Sequence, residues 1–405
     1  MKILHTSDWH LGKKLDGFSR QDEQQLFLQD FVKIVQQNDI DLVIIAGDVY
    51  DTSTPPAFAE KMFYDTLKQI SNNGKTLTLV IAGNHDSPER LTSATPLAME
   101  HGIIMIGTPK TVVPIGNYGN HQLLNSGEGF IEIKINDENA IILTVPYPSE
   151  KRLNEILYEE MTSENDQKQS YTDRIKELFS TLEDNYRDDT INLAVSHLFA
   201  MGSEEGGSER SIQLGGSYIV DGKCLPQNAQ YIALGHVHKP QIVPSTNKKA
   251  RYCGSPLHYN KKEISYEKKC FLVEIAPNTD AQITEIPLKV YKPIEIWRCV
   301  GIDDAINKCS ENAQKDCWVY LEIETDEYIS EQQIKNLKSI KKDIVEIAPI
   351  IKNQTYTSNL TQQEKDQLSF EELFCEFYKV QRSVEPTNEL KNLFLEIMEM
   401  DNETN

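Results

Sequence analysis

Five short apolar runs in this chain break off into the same kinds of residue. Lys2 to Thr6 leads to Asp8-Trp9-His10, Asp41 to Ala46 to Gly47-Asp48, and Thr76 to Ala82 to Gly83-Asn84-His85-Asp86. Further on, Ile191 to Val195 leads to Ser196-His197, and Tyr231 to Leu234 to Gly235-His236-Val237-His238. Five of the nine histidines stand at these points, which random placement rarely produces. Helix-period segments such as Asp22 to Gln37 and Ala57 to Asn72 separate the first runs. The pattern predicts an α/β sandwich whose strands are buried on both faces. Phe130 to Ile135 and Ala140 to Val145, joined by Asn136-Asp137-Glu138-Asn139, predict a hairpin.

The strand ends carry metal-ligand chemistry. Residues i and i+2 of an extended chain point to one side, so Asp8 with His10, and His236 with His238, can each aim two ligands at one point. The crevice beyond the carboxyl ends of strands is the usual binding position in such sheets. Gly47, Gly83 and Gly235, just before the ligands, permit sharp exits and close backbone approach. Carboxylate, amide and imidazole donors without thiolate suit manganese, iron or zinc better than magnesium or calcium. Pooled, they suffice for two ions sharing a carboxylate, and two ions ~3.5–4 Å apart serve in-line displacement at phosphorus. Singly each motif is weak: a lone Asp-x-His is usually a surface pair, and a lone Gly-Asp a turn. Their recurrence after five apolar runs outweighs that reading. His5 sits inside the first strand, His101 and His121 in polar stretches, and His258 after the Gly254-Ser255-Pro256 turn; all four are assigned to the scaffold.

A chain of 405 residues exceeds one compact core, so two or three domains are expected. The α/β pattern occupies residues 1–275. From 287 to 353 the order is strand (Ile294 to Val300), helix (Asp303 to Ala313), strand (Cys317 to Glu324), helix (Ser330 to Ile340) and strand (Ile344 to Ile351). In the tail, 360–405, Phe370, Leu373, Phe374 and Phe377 share helical spacing, as do Leu390, Leu393, Phe394 and Ile397 beyond Pro386. These two amphipathic helices either fold back on their own domain or dock a partner. Residues 202–217 form a Gly- and Ser-rich loop.

No apolar run approaches the roughly 20 residues that span a membrane, and the polar start predicts a cytoplasmic protein. Seven cysteines without a Cys-x-x-Cys pair predict free thiols rather than disulfides or a zinc knuckle. The net charge of −21 argues mildly against nucleic acid. Residues 361–405 hold eleven acids against four bases, which leaves −14 for the remainder. Bound cations or a basic partner would offset some of that.

Taken together, Asp8-Trp9-His10-Leu11-Gly12, Gly47-Asp48-Val49-Tyr50-Asp51, Gly83-Asn84-His85-Asp86, Ser196-His197 and Gly235-His236-Val237-His238 resemble the calcineurin-like metallophosphoesterases. More narrowly they resemble the SbcD nuclease subunits, as do Lys13 after the first motif, Asp51-Thr52 with Pro55-Pro56, and Gly254-Ser255-Pro256. The resemblance implies a metallophosphoesterase β-sandwich flanked by helices, a small α/β capping domain and a C-terminal helix pair that docks an ATPase. It implies that Asp8, His10, Asp48 and His238 hold one ion, and that Asp48 bridges to a second held by Asn84, His197 and His236. His85 is then the catalytic group that contacts the scissile phosphate, with Asp86 either orienting it or serving as a turn carboxylate. Asp51 stands where some relatives carry a second catalytic histidine. The family further implies two manganese ions, a homodimer within a heterotetramer, an SbcC-type coiled-coil ATPase, and action on DNA ends and hairpins. Exonuclease action on duplex and endonuclease action on single strands belong to the same expectation. The rival readings are another two-metal phosphodiesterase or phosphatase of this fold, and a scaffold that kept the site without turnover. Asp51-Thr52 in place of an Arg-Gly pair, and Asp86 in place of Glu, speak against the phosphoprotein phosphatases.

Overall fold

The computed structural model describes residues 1–153, 164–209, 219–325, 329–350, 369–382 and 386–403. Its contacts divide the chain into Met1–Tyr291 and Lys292–Asn405. Positions 210–217 of the Gly- and Ser-rich loop lie outside the described residues. So does 351–368, where the sequence puts the border between its second and third units.

The two large sheets of the first unit are built from β1 (Lys2–Thr6), β2 (Leu42–Ala46), β3 (Leu77–Ile81), β4 (Ile103–Ile106), β5 (Gly116–Tyr118), β6 (His121–Gly127), β7 (Phe130–Ile135), β8 (Glu138–Val145), β9 (Ile191–His197), β10 (Tyr231–Gly235), β11 (Gln241–Ile242), β12 (Ala250–Tyr252), β13 (Lys269–Glu274) and β14 (Gln282–Pro287). The long helices are α1 (Gln21–Gln37), α2 (Ala57–Ile70) and α3 (Glu164–Glu183). One sheet has the order β14-β13-β1-β2-β3-β4 and the other β11-β12-β10-β9-β8-β7-β6-β5. β1 to β4 run parallel, and so do β8, β9, β10 and β12. Each sheet therefore presents several carboxyl ends along one edge.

Alternation along the strands builds four layers. Leu42, Ile44 and Ala46 of β2 join Ile142, Leu193 and Ala233 in the core between the sheets. Val43 and Ile45 point the other way, into the core that Phe31 of α1 and Phe63 of α2 complete. On the outer side of the second sheet, Leu143, Ala194 and Ile232 pack with Tyr171, Ile175 and Phe179 of α3. The β7–β8 hairpin is tighter than expected. Glu138 pairs with Ile135, leaving Asn136-Asp137 as a two-residue turn in which Asn136 adopts φ 54°. Asparagine tolerates that left-handed conformation, so the strands extend further than hydrophobicity alone suggests.

The second unit contains a parallel sheet of β15 (Ile294–Val300), β16 (Trp318–Glu324) and β17 (Ile344–Ile350), with α4 (Gly301–Glu311) and α5 (Glu331–Ile340) as the connecting helices. Trp297, Leu321, Ile323, Leu337 and Ile344 share its core. Ser330 and Gln333 form a capping box at the start of α5. Beyond it lie α6 (Phe370–Arg382) and α7 (Asn388–Glu403), with Phe374 stacked on Phe394 at 4.2 Å between ring centroids. Phe377 and Leu393 are exposed. Among the described residues no helix is long and apolar enough to cross a membrane.

Candidate metal centre

The chain leaving β1 runs beside the chain leaving β2. Asp8 N–H donates to Gly47 O, His10 N–H to Asp48 O and Leu11 N–H to Val49 O, at 2.9–3.0 Å. Trp9, between the two candidate ligands, turns into the core, where Phe27, Phe31 and Phe63 meet it edge-on. Asp8 and His10 thus face away from Trp9 toward the second sheet. They do so differently from the extended geometry expected of them: φ is 54° at Asp8, 45° at His10, 51° at Asp48 and 103° at His236. Left-handed residues bend the strand exits inward and aim the side chains at one volume, a departure from ordinary backbone preference typical of functional positions.

The glycine expectation holds where it can be measured. A Cβ on Gly83 would lie 2.2 Å from Asp48 Oδ1, so only glycine lets that loop close on the carboxylate.

The donor atoms meet in two groups. His10 Nε2 lies 3.0 Å from His238 Nε2 and 3.6 Å from Asp48 Oδ2, and Asp8, His10 and His238 each present a donor atom within 4.8 Å of the others. Across Asp48, His197 Nε2 is 3.4 Å from Oδ2 and 2.9 Å from Asn84 Oδ1, and His236 Nδ1 is 3.0 Å from the same amide oxygen. Asp8, His10 and His197 are wholly buried; Asp48, His236 and His238 nearly so, and Asn84 half-buried. All seven sequence-predicted ligands are therefore brought together, with Asp48 between the groups.

Other contacts fix the rings. His197 donates Nδ1–H to Ala46 O at 2.9 Å, which leaves Nε2 for the centre. Ser7 Oγ–H donates to Asp8 Oδ2 at 2.5 Å, and the His236 N–H donates to both Asp8 oxygens. Burial drives His10 and His236 down to about 3, so both rings are neutral and offer lone pairs. Burial would push Asp48 up, but His197, which the Asp48 and Asp8 charges raise to about 9 against its own burial, holds it well below the usual carboxylate range.

His85 stands beside Asp48. Its N–H donates to Asp48 Oδ1 at 2.8 Å, its ring Nδ1–H to Asp51 O at 2.6 Å, and its Nε2 lies 4.0 Å from Asp48 Oδ2. Asp86 is not the partner of that ring. Its carboxylate accepts from Val49 N, Tyr50 N and Gly83 N, bracing the loop against the chain after β2. Burial and the Asp48 charge push it up to about 6. Asp51, half-buried, pairs with Lys13 at 2.8 Å and approaches His10 Nδ1 at 3.5 Å. Arg152 has no counterpart in the sequence reading. It donates to Gly83 O at 2.8 Å and Asp86 O at 2.7 Å, clasping the loop that carries Asn84 and His85. Nothing in Ser149-Glu150-Lys151-Arg152 announces this, because its partners are backbone carbonyls remote in sequence. Of the histidines assigned to the scaffold, His5 bonds Tyr231 Oη within the core and His258 bonds Tyr266 O. His121, although its stretch of sequence is polar, is buried in β6.

The donor set fits divalent cations: buried nitrogen and oxygen donors, two imidazoles that burial keeps neutral (His10 and His236), two that the neighbouring carboxylates hold toward the charged form until a cation replaces the proton (His197 and His238), and a carboxylate shared between two groups. Two ring nitrogens facing each other at 3.0 Å, His10 Nε2 and His238 Nε2, share either a proton or a cation.

Comparison with known proteins agrees with this geometry. The calcineurin-like phosphoesterase family matches residues 1–240. SbcD_C, described as the type 5 capsule protein repressor C-terminal domain, matches residues 290–382. The chain is 36% identical to the SbcD subunit of the SbcCD nuclease from Bacillus subtilis over 399 residues, covering 98% of this chain and 97% of that one. It is 27% identical to the SbcD subunit of the same nuclease from Escherichia coli K12 over 393 residues, 92% of each chain. With its metal-binding donor set, the chain therefore belongs to the calcineurin-like metallophosphoesterases and, within them, to the SbcD nuclease-subunit family, as a hydrolase of the phosphodiesterase and nuclease class.

Proposed function

We propose that this chain is the nuclease subunit of an SbcC/SbcD-type, ATP-dependent complex that processes DNA ends and hairpins with two manganese ions. The observation that carries the reading is the meeting of two donor groups at Asp48 with His85 beside them. In this reading Asp8, His10, Asp48 and His238 hold one ion, and Asp48, Asn84, His197 and His236 the other. When bound, the ions supply Lewis-acid polarisation of the phosphodiester and activation of water. The chain's residues position and discharge the rest. A carbonyl only accepts, so the Asp51 contact fixes the proton on His85 Nδ1 and leaves Nε2 for the substrate. A protonated Nε2 donates to a phosphoryl or leaving oxygen. Asp86 and Arg152 act on His85 through its loop, from carboxylate and carbonyl contacts respectively.

Residues 1–275 form the nuclease domain of this proposal, 287–353 a capping domain, and 360–405 the helices that dock the coiled-coil ATPase. The complex is a heterotetramer around a nuclease homodimer in the cytoplasm, with exonuclease action on duplex ends and endonuclease action on single strands. A partner that supplies DNA-binding surface accounts for a nuclease subunit of net charge −21.

The test is cleavage of a labelled hairpin and a linear duplex in manganese by the purified chain and by His85→Ala, with metal binding followed by calorimetry. Cleavage lost and metal binding retained supports the nuclease with His85 as a catalytic group. Hydrolysis of bis-p-nitrophenyl phosphate or a phosphopeptide, with no DNA cleavage even when the ATPase is added, overturns the nuclease reading. Deleting Ser369 to Asn405 abolishes co-purification with the ATPase and spares metal-dependent cleavage; retained binding ends the docking assignment.

A further inference from the structure

Behind His238, on the side away from the other donors, lies a buried ion pair. Glu263 and Lys268 are both within 2% of full burial, and Lys268 Nζ reaches Glu263 Oε2 at 2.5 Å. The same ammonium donates to Ser255 Oγ at 2.7 Å and His238 O at 3.1 Å, so its donors are spoken for. The second carboxylate oxygen, Glu263 Oε1, accepts from Ser208 Oγ and lies 3.6 Å from His238 Nδ1. Ser208 Oγ in turn stands 2.5 Å from His238 Nδ1. Glu209 fixes the loop that delivers Ser208: its carboxylate accepts from Gly206 N, Gly207 N and Ser208 N, and also from His238 N at 2.8 Å.

The hydrogens in this relay follow from chemistry alone. A carboxylate beside an ammonium only accepts, so the Ser208 hydroxyl hydrogen points at Glu263. The hydroxyl then turns a lone pair to His238, and Nδ1 must carry the ring proton. Nε2 is left with its lone pair facing His10 Nε2 and Asp8. A hydrophobic pair would hold the fold at least as well as two buried charges, whereas only a fixed acceptor orders this relay.

We propose that Glu263, locked by Lys268 and acting through Ser208, is the positioning residue that sets the tautomer of His238 and so prepares Nε2 as a metal donor. The proposal rests on the reading of His238 as a ligand. Outer partners of this kind fix ring orientation and raise ligand basicity.

Glu263→Gln tests it with almost no change of shape. Lys268 still demands an oxygen, so the amide places its NH2 toward Ser208. The relay then runs backward, from amide to Ser208 to Nδ1, and the ring proton moves to Nε2. Manganese titrated into the full-length variant should bind about 10–100-fold more weakly than to the parent chain. Long-range 1H–15N correlation of the metal-free, 15N-histidine-labelled chain should show His238 with a protonated Nδ1 in the parent and a protonated Nε2 in Glu263→Gln. In the double variant Glu263→Gln/Lys268→Met only the Tyr259 N–H, at 3.3 Å, still asks for an oxygen on that side, so the amide turns its oxygen to Ser208 in part of the molecules, and the parent tautomer and the affinity return in part. Weakened binding with an unchanged tautomer, or unchanged binding, overturns the proposal. Should Glu263→Gln fail to fold, the parent spectrum decides: a protonated Nε2 there rules the relay out. His238→Ala separates the two readings, since unaltered manganese binding in that variant removes His238 as a ligand while the tautomer spectra still report on the relay.

Discussion

Adding one methyl group at Gly235 should dismantle the centre from outside it. A Cβ there would lie 1.9 Å from Ala46 O and 2.8 Å from His197 Nδ1. Ordinary contact between such atoms begins near 3.4–3.5 Å, so the Ala46 carbonyl and the β10 backbone must part by about 1.5 Å. That same carbonyl accepts the His197 Nδ1–H at 2.9 Å. A displacement of this size takes the pair beyond hydrogen-bonding distance and frees the ring. Overpacking costs about 1–3 kcal/mol, and the lost buried hydrogen bond adds about 1 kcal/mol. Gly235→Ala is therefore expected to lose about 2–4 kcal/mol in urea unfolding without metal. With manganese as the probe, calorimetry should show the binding proposed for the His197 group weakened about 10–100-fold. Gly17→Ala is the control: its φ of 92° makes alanine strained, but nothing lies within 4 Å of the added carbon. It should lose about 1 kcal/mol and no metal affinity. If Gly235→Ala matches the Gly17 control in both assays, the close approach of the two sheets is not what holds His197.

Trp9→Ala, which empties a fully buried site among Phe27, Phe31 and Phe63, should cost about 3–5 kcal/mol by urea denaturation; a cost below about 1 kcal/mol would mean the three rings are not packed on it. Arg152→Ala should lower kcat/KM on bis-p-nitrophenyl phosphate by about tenfold or more, the equivalent of one charge-assisted hydrogen bond. Arg152→Lys should recover part of it by reaching one of the two carbonyls, and equal rates in all three would refute the clasp. Burial pushes the Cys270 thiol up to about 12 and the Cys309 thiol up to about 11. Their unfolded counterparts ionise near 9.0, so the unfolded chain releases protons first. Stability is full below that pH and falls as pH rises toward 11–12. Urea midpoints between pH 7 and 10 check the sign, and alkylation of the native chain at pH 8 should mark Cys375, half-buried, well before the six buried thiols.

The sequence was most legible where strands are buried on both faces. Runs such as Leu42-Val43-Ile44-Ile45-Ala46 leave no alternative to a central strand, and β1, β2, β3, β9 and β10 fall within a residue or two of expectation. The gathering of histidine, aspartate and asparagine at their ends was legible for the same reason, since polar residues after such runs must sit at a sheet edge. Strands at and next to the sheet edges were harder. β11 and β12 are short, and β5 with β6 is mostly polar, so neither length nor periodicity marks them. The partition into a six-stranded and an eight-stranded sheet depends on β13 returning antiparallel to β1 across the whole first unit, which no local pattern encodes. Arg152, Ser208 and Glu263 escaped for a related reason: each acts on a backbone carbonyl or another side chain far away in sequence. The extended geometry that singles out Asp8 and His10 in the sequence is not the one their backbone adopts.

That backbone has an evolutionary consequence. At Asp8, His10 and Asp48 the left-handed conformation admits few residue types without strain, chiefly glycine, asparagine, aspartate and histidine. Two of those four are the types a divalent ion also prefers, so two independent filters act on the same positions. Loss of selection for chemistry would lift one filter and leave the other. A descendant of this fold that no longer cut anything would drift at these positions to asparagine or glycine before valine or leucine, which would add backbone strain to the lost buried contacts. Its active past would be written in a narrow alphabet, and the folded chain itself would keep enforcing that alphabet long after the ions had gone.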